Sequence, residues 1–154
     1  MKRRDLFKKL SVASAGILVG GSLLNSNTTQ AQEKPQEKLI INRMKMTFAD
    51  AKNPTPHELK HTPQITFGKQ DTKGFTKVVI TIGQGGIIHP TEENHWIDYM
   101  MIYKNDQLVS NMIFENGPIR GYGEHYLNLQ ARDRVKVEAG CNLHGIWEHT
   151  ETLG

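Results

Sequence analysis

The chain has 154 residues, with 19 Lys and Arg against 16 Asp and Glu, and a single cysteine. That length makes one domain the expectation. Five of the positive residues and one of the negative fall within positions 1–31, leaving 14 positive against 15 negative over the rest. The sequence pI near 9.0 therefore belongs to the head of the chain, no basic patch is left for nucleic acid, and no disulfide forms within the chain.

Residues 1–31 read as an export signal. A basic head (Lys2, Arg3, Arg4, Lys8, Lys9) precedes a weakly apolar run from about Leu10 to Leu24. A polar stretch then ends in Thr29-Gln30-Ala31, small residues where a signal peptidase cuts. The apolar run is about 15 residues and a membrane span needs about 20, so no membrane anchor is expected after cleavage. Arg3-Arg4 followed by Leu6, Phe7 and Lys8 resembles a twin-arginine signal, which implies export of a folded protein to the periplasm. Residues 32–38, charged and proline-containing, read as a linker, and residues 39–154 as the folded domain.

Past the linker there is no long helical periodicity. Short runs rich in β-branched and aromatic residues predict strands at Lys38–Phe48, Gln64–Gly68, Phe75–Ile82, Trp96–Tyr103, Leu108–Glu115, Glu124–Gln130, Arg134–Ala139 and near Ile146–Thr150. In TKVVITIG, Val78, Ile80 and Ile82 alternate with Lys77, Val79 and Thr81. Such a period of two buries one face and wets the other. Lys104-Asn105-Asp106 suits a hairpin turn. The segment Ala51–Lys60, with two prolines, reads as a loop. Seven or eight short strands predict an all-β antiparallel sandwich.

The residues able to do chemistry gather in three stretches: KHTPQI with His61, HPTEENHWI with His89 and His95, and CNLHGIW with Cys141 and His144. Each is weak alone. A lone exported thiol is buried and inert, bound to metal, or paired with another chain. Together the stretches offer four imidazoles and one thiolate from separate segments near prolines and glycines. Imidazole suits iron, copper, zinc and nickel, and thiolate adds softness. Five ligands are too many for a closed tetrahedral zinc site but fit a five-coordinate iron with one open place.

These three stretches, in this order and spacing, resemble the iron centre of superoxide reductases of the desulfoferrodoxin and neelaredoxin family. The resemblance implies an immunoglobulin-like β-sandwich of about seven strands holding one iron, Fe2+ or Fe3+. His61, His89, His95 and His144 would be equatorial ligands and Cys141 the axial one. It also implies one-electron reduction of superoxide to hydrogen peroxide, an electron donor such as a small redox protein, and a homo-oligomer, commonly a tetramer. Lys60 matches the family lysine that steers superoxide. Two features depart from the family. Leu59 stands where many members carry a glutamate that caps oxidised iron, and Glu58, one place early, is expected to point elsewhere. With only Cys141, the cysteine-rich second iron module is absent, so the chain resembles the single-iron type.

His57 is expected in a mobile loop, with a role near the site as the lesser alternative, His125 as a packed or surface residue, and His149 near an exposed end. Trp96, Trp147 and Tyr122 are expected in the core or the site wall. Two other classes of function compete with the reductase. One is an iron-holding electron-transfer module without fast superoxide chemistry. The other is a sulfur carrier using Cys141 covalently, which a full set of five ligands would preclude.

Overall fold

In TKVVITIG the alternation becomes a buried face. Val78, Ile80 and Ile82 are buried, while Lys77, Val79 and Thr81 are only partly covered. A computed structural model describes residues 39–154, so the expected leader and linker lie outside the described residues. A short helix, α1 (Pro56–His61), precedes seven strands: β1 (Pro63–Gln70), β2 (Phe75–Ile82), β3 (Ile97–Lys104), β4 (Gln107–Ile113), β5 (Tyr122–Asn128), β6 (Arg134–Cys141) and β7 (Gly145–Thr152). They form two sheets, β1-β2-β5 and β4-β3-β6-β7, with every pairing antiparallel. This is the all-β antiparallel sandwich that the strand pattern predicts, and the immunoglobulin-like form is the one the resemblance implies.

The core lies between the sheets. Val78, Ile80, Met100, Ile102, Val135 and Val137 are fully buried there, and Cys141 belongs to the same cluster. Each fully buried aliphatic side chain of this kind contributes about 1.5–3 kcal/mol. The β3–β4 hairpin turns through Asn105 and Asp106, whose φ values of 47° and 68° fit the left-handed two-residue turn expected there.

Register places the chemistry at one end of the sandwich. Pro63, which opens β1, pairs with Ile82, which closes β2. Ile97, which opens β3, pairs with Cys141 at the end of β6, and Cys141 pairs in turn with Gly145 at the start of β7. The α1–β1 junction, the β2–β3 loop and the β6–β7 hairpin therefore share one edge of the core.

Two expectations are corrected. The described part of the predicted first strand is not a strand. Residues 39–48 form a strap across β7 with one parallel bridge, Lys45 to Ile146. The Asn42 side chain takes the Met44 N–H at 2.8 Å, so that donor is spent locally and is not offered to a neighbouring strand. The strap is tied down instead by Ile41 N–H to the Asn142 carbonyl (2.7 Å) and by Met46 N–H to the Ile146 carbonyl (2.8 Å). Second, Ala51–Lys60 is not all loop, because α1 begins within it. Thr55 and Glu58 form a reciprocal capping box with Pro56 in the first turn, and that arrangement nucleates a helix too short to show a hydrophobic period.

Candidate metal centre

His61 is the last residue of α1, and its orientation is set from its own helix. Its Nδ1–H donates to the His57 carbonyl at 2.6 Å, which turns Nε2 inward. The neighbouring cap is closed by Thr62, which donates through both N–H and hydroxyl to the Glu58 carbonyl.

His89 and His95 come from the β2–β3 loop. Gly83 has φ 118°, and a Cβ there would lie 1.9 Å from the Ile87 carbonyl oxygen, so the loop folds back on itself only with glycine. His89 N–H donates to the Ile82 carbonyl (3.0 Å), and its Nδ1–H to the Pro90 carbonyl (2.7 Å). Its Nε2 is buried with no hydrogen-bond partner. Glu92 and His95 exchange backbone hydrogen bonds, fixing the tight turn that presents His95.

Cys141 and His144 flank the β6–β7 hairpin. Asn142, fully buried, pins this hairpin to its surroundings. Its Oδ1 accepts from Trp96 N–H (3.0 Å), and its Nδ2 donates to the carbonyls of Asn94 (3.0 Å) and Leu39 (3.1 Å). The backbone N–H groups of Leu143 and His144 favour the thiolate of Cys141 against the burial that pushes its thiol pKa up. Gly145, at φ 82°, closes the turn where a Cβ would come within 2.5 Å of the Met44 oxygen.

The four imidazoles form a closed ring in the order His61, His89, His95, His144. Adjacent ring centroids are 4.8, 4.7, 4.8 and 4.7 Å apart, and adjacent planes cross at 67–76°. The inward nitrogens nearly touch. His144 Nδ1 lies 3.0 Å from His61 Nε2 and 3.1 Å from His95 Nε2, with Cys141 Sγ at 3.5 Å. The ligand atoms of His61, His89, His95 and Cys141 all lie within 4.8 Å of one another.

This donor set fits a metal ion. Two nitrogens at right angles about a cation, each about 2.1 Å from it, lie about 3.0 Å apart. His61 and His89 already spend their one proton on carbonyls, so their inward Nε2 atoms carry lone pairs. Burial holds both imidazole pKa values down to about 3, and His95 and His144 are lowered for the same leading reason. Neutral imidazoles crowded lone pair to lone pair, with an orphaned buried nitrogen among them, gain a partner from a cation. A cation would also drive the proton off Cys141.

All five ligand candidates named from the sequence are thus brought together. Lys60, on α1, is half-buried and its charge favours the lower pKa in all five, a smaller effect than burial, which lowers the four imidazoles and raises the Cys141 thiol. Glu58 does point elsewhere: its carboxylate accepts from Ala49 N–H (2.7 Å), Thr55 N–H (2.7 Å) and the Thr55 hydroxyl (2.8 Å). The cause is the helix cap, not alternation along an extended chain.

Trp147 forms a wall, with its indole stacked on His61. Trp96 is buried in the core, whereas Tyr122 is exposed and hydrogen-bonds Glu124, so it is neither core nor wall. His125 lies on β5 and His149 on β7. The residue that sequence reasoning ranked too low is His57. Its ring packs 4.4 Å from His61 and 4.8 Å from His144. The i, i+4 spacing to His61 would have revealed it had α1 been recognised.

A family model described as Desulfoferrodoxin matches residues 53–150. The chain belongs to the desulfoferrodoxin family. A protein of Methanocaldococcus jannaschii, provisionally named a superoxide reductase, is 29% identical over 124 residues, covering 73% of this chain and 92% of its own. A protein of Thermococcus kodakarensis named superoxide reductase is 26% identical over 103 residues, covering 61% of this chain and 87% of its own. Among solved structures, the superoxide reductase of Nanoarchaeum equitans superposes with a TM-score of 0.55 at 21% identity, covering 70% of this chain and all of that one. That likeness establishes the shared sandwich fold. The segments carrying all five candidate ligands fall inside the span matched by the desulfoferrodoxin model.

Proposed function

We propose that this protein is an exported superoxide reductase that holds one iron per chain through His61, His89, His95, His144 and Cys141. The observation that carries the reading is the convergence of the four inward imidazole nitrogens with the Cys141 sulfur. Membership of the desulfoferrodoxin family and the names of its relatives support the same substrate.

Iron, when bound, supplies the single electron that, with two protons, converts superoxide to hydrogen peroxide. The protein supplies the rest. The Nδ1–H bonds of His61 and His89 fix which nitrogen faces inward. Cys141, fully buried, would supply a thiolate that adds electron density to a bound iron, as thiolates do at haem. The Leu143 and His144 N–H groups limit that charge. Lys60 adds the positive field that draws a small anion in. A donor protein returns the electron after each turnover, and association into a homo-oligomer, a tetramer by resemblance, belongs to the same reading. The leader directs the folded chain to the periplasm by the twin-arginine route.

The test is rapid mixing or pulse radiolysis with the ferrous protein. Superoxide should oxidise the iron within milliseconds and yield one hydrogen peroxide per iron. Iron that binds but resists superoxide would leave an electron-transfer module instead. Cys141→Ser should abolish the thiolate-to-iron absorption band of the oxidised protein. A retained band would remove Cys141 from the ligand set.

A further inference from the structure

The metal centre as described uses five donors, and one more imidazole stands beside it. His57 is exposed, whereas Cys141 is fully buried. The His57 ring lies 4.4 Å from His61 and, edge-on at 88°, 4.8 Å from His144. Both distances are no longer than the 4.7–4.8 Å between adjacent members of the imidazole ring itself. Its ligand atom and those of His61 and His144 lie within 4.8 Å of one another, a second grouping able to hold a metal. Among the described residues, every such grouping contains His61, and His57 is the only member outside the five donors already assigned.

The rest of α1 offers no rival. Leu59 has no donor atom. Both Glu58 oxygens are committed, one to Ala49 and the other to Thr55. Lys60 is a cation. The His57 ring nitrogens, by contrast, make no hydrogen bond to any described residue. His57 is also carried on the same short, capped helix that delivers His61, four residues away, so the two face the same direction.

We propose that His57 is a sixth donor, an imidazole that swings onto a metal held by the ring and would close its remaining open position. It rests on the metal-centre reading above. Its consequence is competition: a small anion entering that position must displace His57. A cap seated in about nine of ten molecules raises the apparent Kd of such an anion about tenfold.

The test uses ferric protein with azide as the probe, comparing wild type, His57→Ala and His57→Gln. The alanine variant keeps the backbone carbonyl that orients His61, so the ring of four should remain. Pulsed EPR should count five imidazoles on the wild-type iron and four in either variant. Azide titrations followed by absorbance should show Kd falling about tenfold on removal of the ring. Four imidazoles in the wild type, or azide Kd values equal in all three proteins, would overturn the cap while leaving the metal centre intact. Failure of the wild type to bind iron at all would instead overturn the reading on which the cap rests.

Discussion

The Trp147 indole lies flat against the His61 imidazole, with ring centroids 5.6 Å apart and planes inclined by 20°. Its Nε1–H donates to the carbonyl of His144 at 3.0 Å. One side chain thus covers one candidate ligand and tethers the backbone of another. Outer partners that orient ligands change metal affinity by about 10- to 100-fold when removed. Trp147→Phe keeps the wall and loses the tether. Chelator competition should therefore show ferrous iron held about tenfold more weakly. Equal retention by the two proteins would mean that the indole only packs.

The helix that carries His61 depends on its cap. Replacing the Thr55 cap by alanine should cost about 1 kcal/mol, lowering the unfolding midpoint by about 4 °C at this size. Glu58 adds a pH dependence. The Ala49 N–H, followed by the Thr55 N–H and hydroxyl, holds its pKa below the ordinary 4.5. A lowered carboxyl pKa contributes stability that is present above 4.5 and lost as pH falls through the folded value. Glu58→Gln should therefore melt below wild type at pH 7, and the gap should close in acid. A gap that stays constant down to about pH 2, below the carboxylate range, would show that the charge is irrelevant to the cap.

Strand positions were legible wherever one face is buried. Phe75–Ile82 matches its predicted bounds, because two-sided environments leave a period of two in the sequence. The five ligand candidates were legible because each segment keeps its motif local: His89 and His95 share one loop, and Cys141 and His144 share one hairpin. What failed was structure set by single polar bonds. KLIINRMKMTF has the composition of a strand, yet its described residues lie as a strap. The Asn42 side chain spends the Met44 N–H locally, and Arg43 pairs with Asp98. Helix α1 spans only six residues, too few for a period, and its signal was the Thr55-x-x-Glu58 capping box. Reading it as loop hid His57.

Export is a claim about the first residues alone. The pair Arg3-Arg4 precedes Leu6, Phe7 and Lys8 ahead of a short apolar run. If the twin-arginine route reads that pair, replacing both with lysine should leave folded, iron-loaded protein in the cytoplasm. Fractionation should then find little mature protein outside. Normal export of the Lys-Lys variant would assign the leader to another route.

Lys60 gives the sharpest kinetic test. Lys60 directly precedes His61 on α1, and its charge acts on all five candidate ligands. For an anion about 6 Å away, with an effective dielectric between about 20 and 80, the attraction is about 0.7–2.8 kcal/mol. That corresponds to a rate factor between about 3 and 100. Lys60→Ala should slow the reaction of ferrous protein with superoxide within that range. Added salt should slow the wild type more than the variant, because it screens the charge that the variant lacks. Iron content should not change, since the ammonium has no lone pair to give a metal. Pulse radiolysis at two ionic strengths reads all three outcomes. A variant with the wild-type rate and the same salt slope would show that Lys60 does not steer, and the field that draws superoxide would then have to come from another cation.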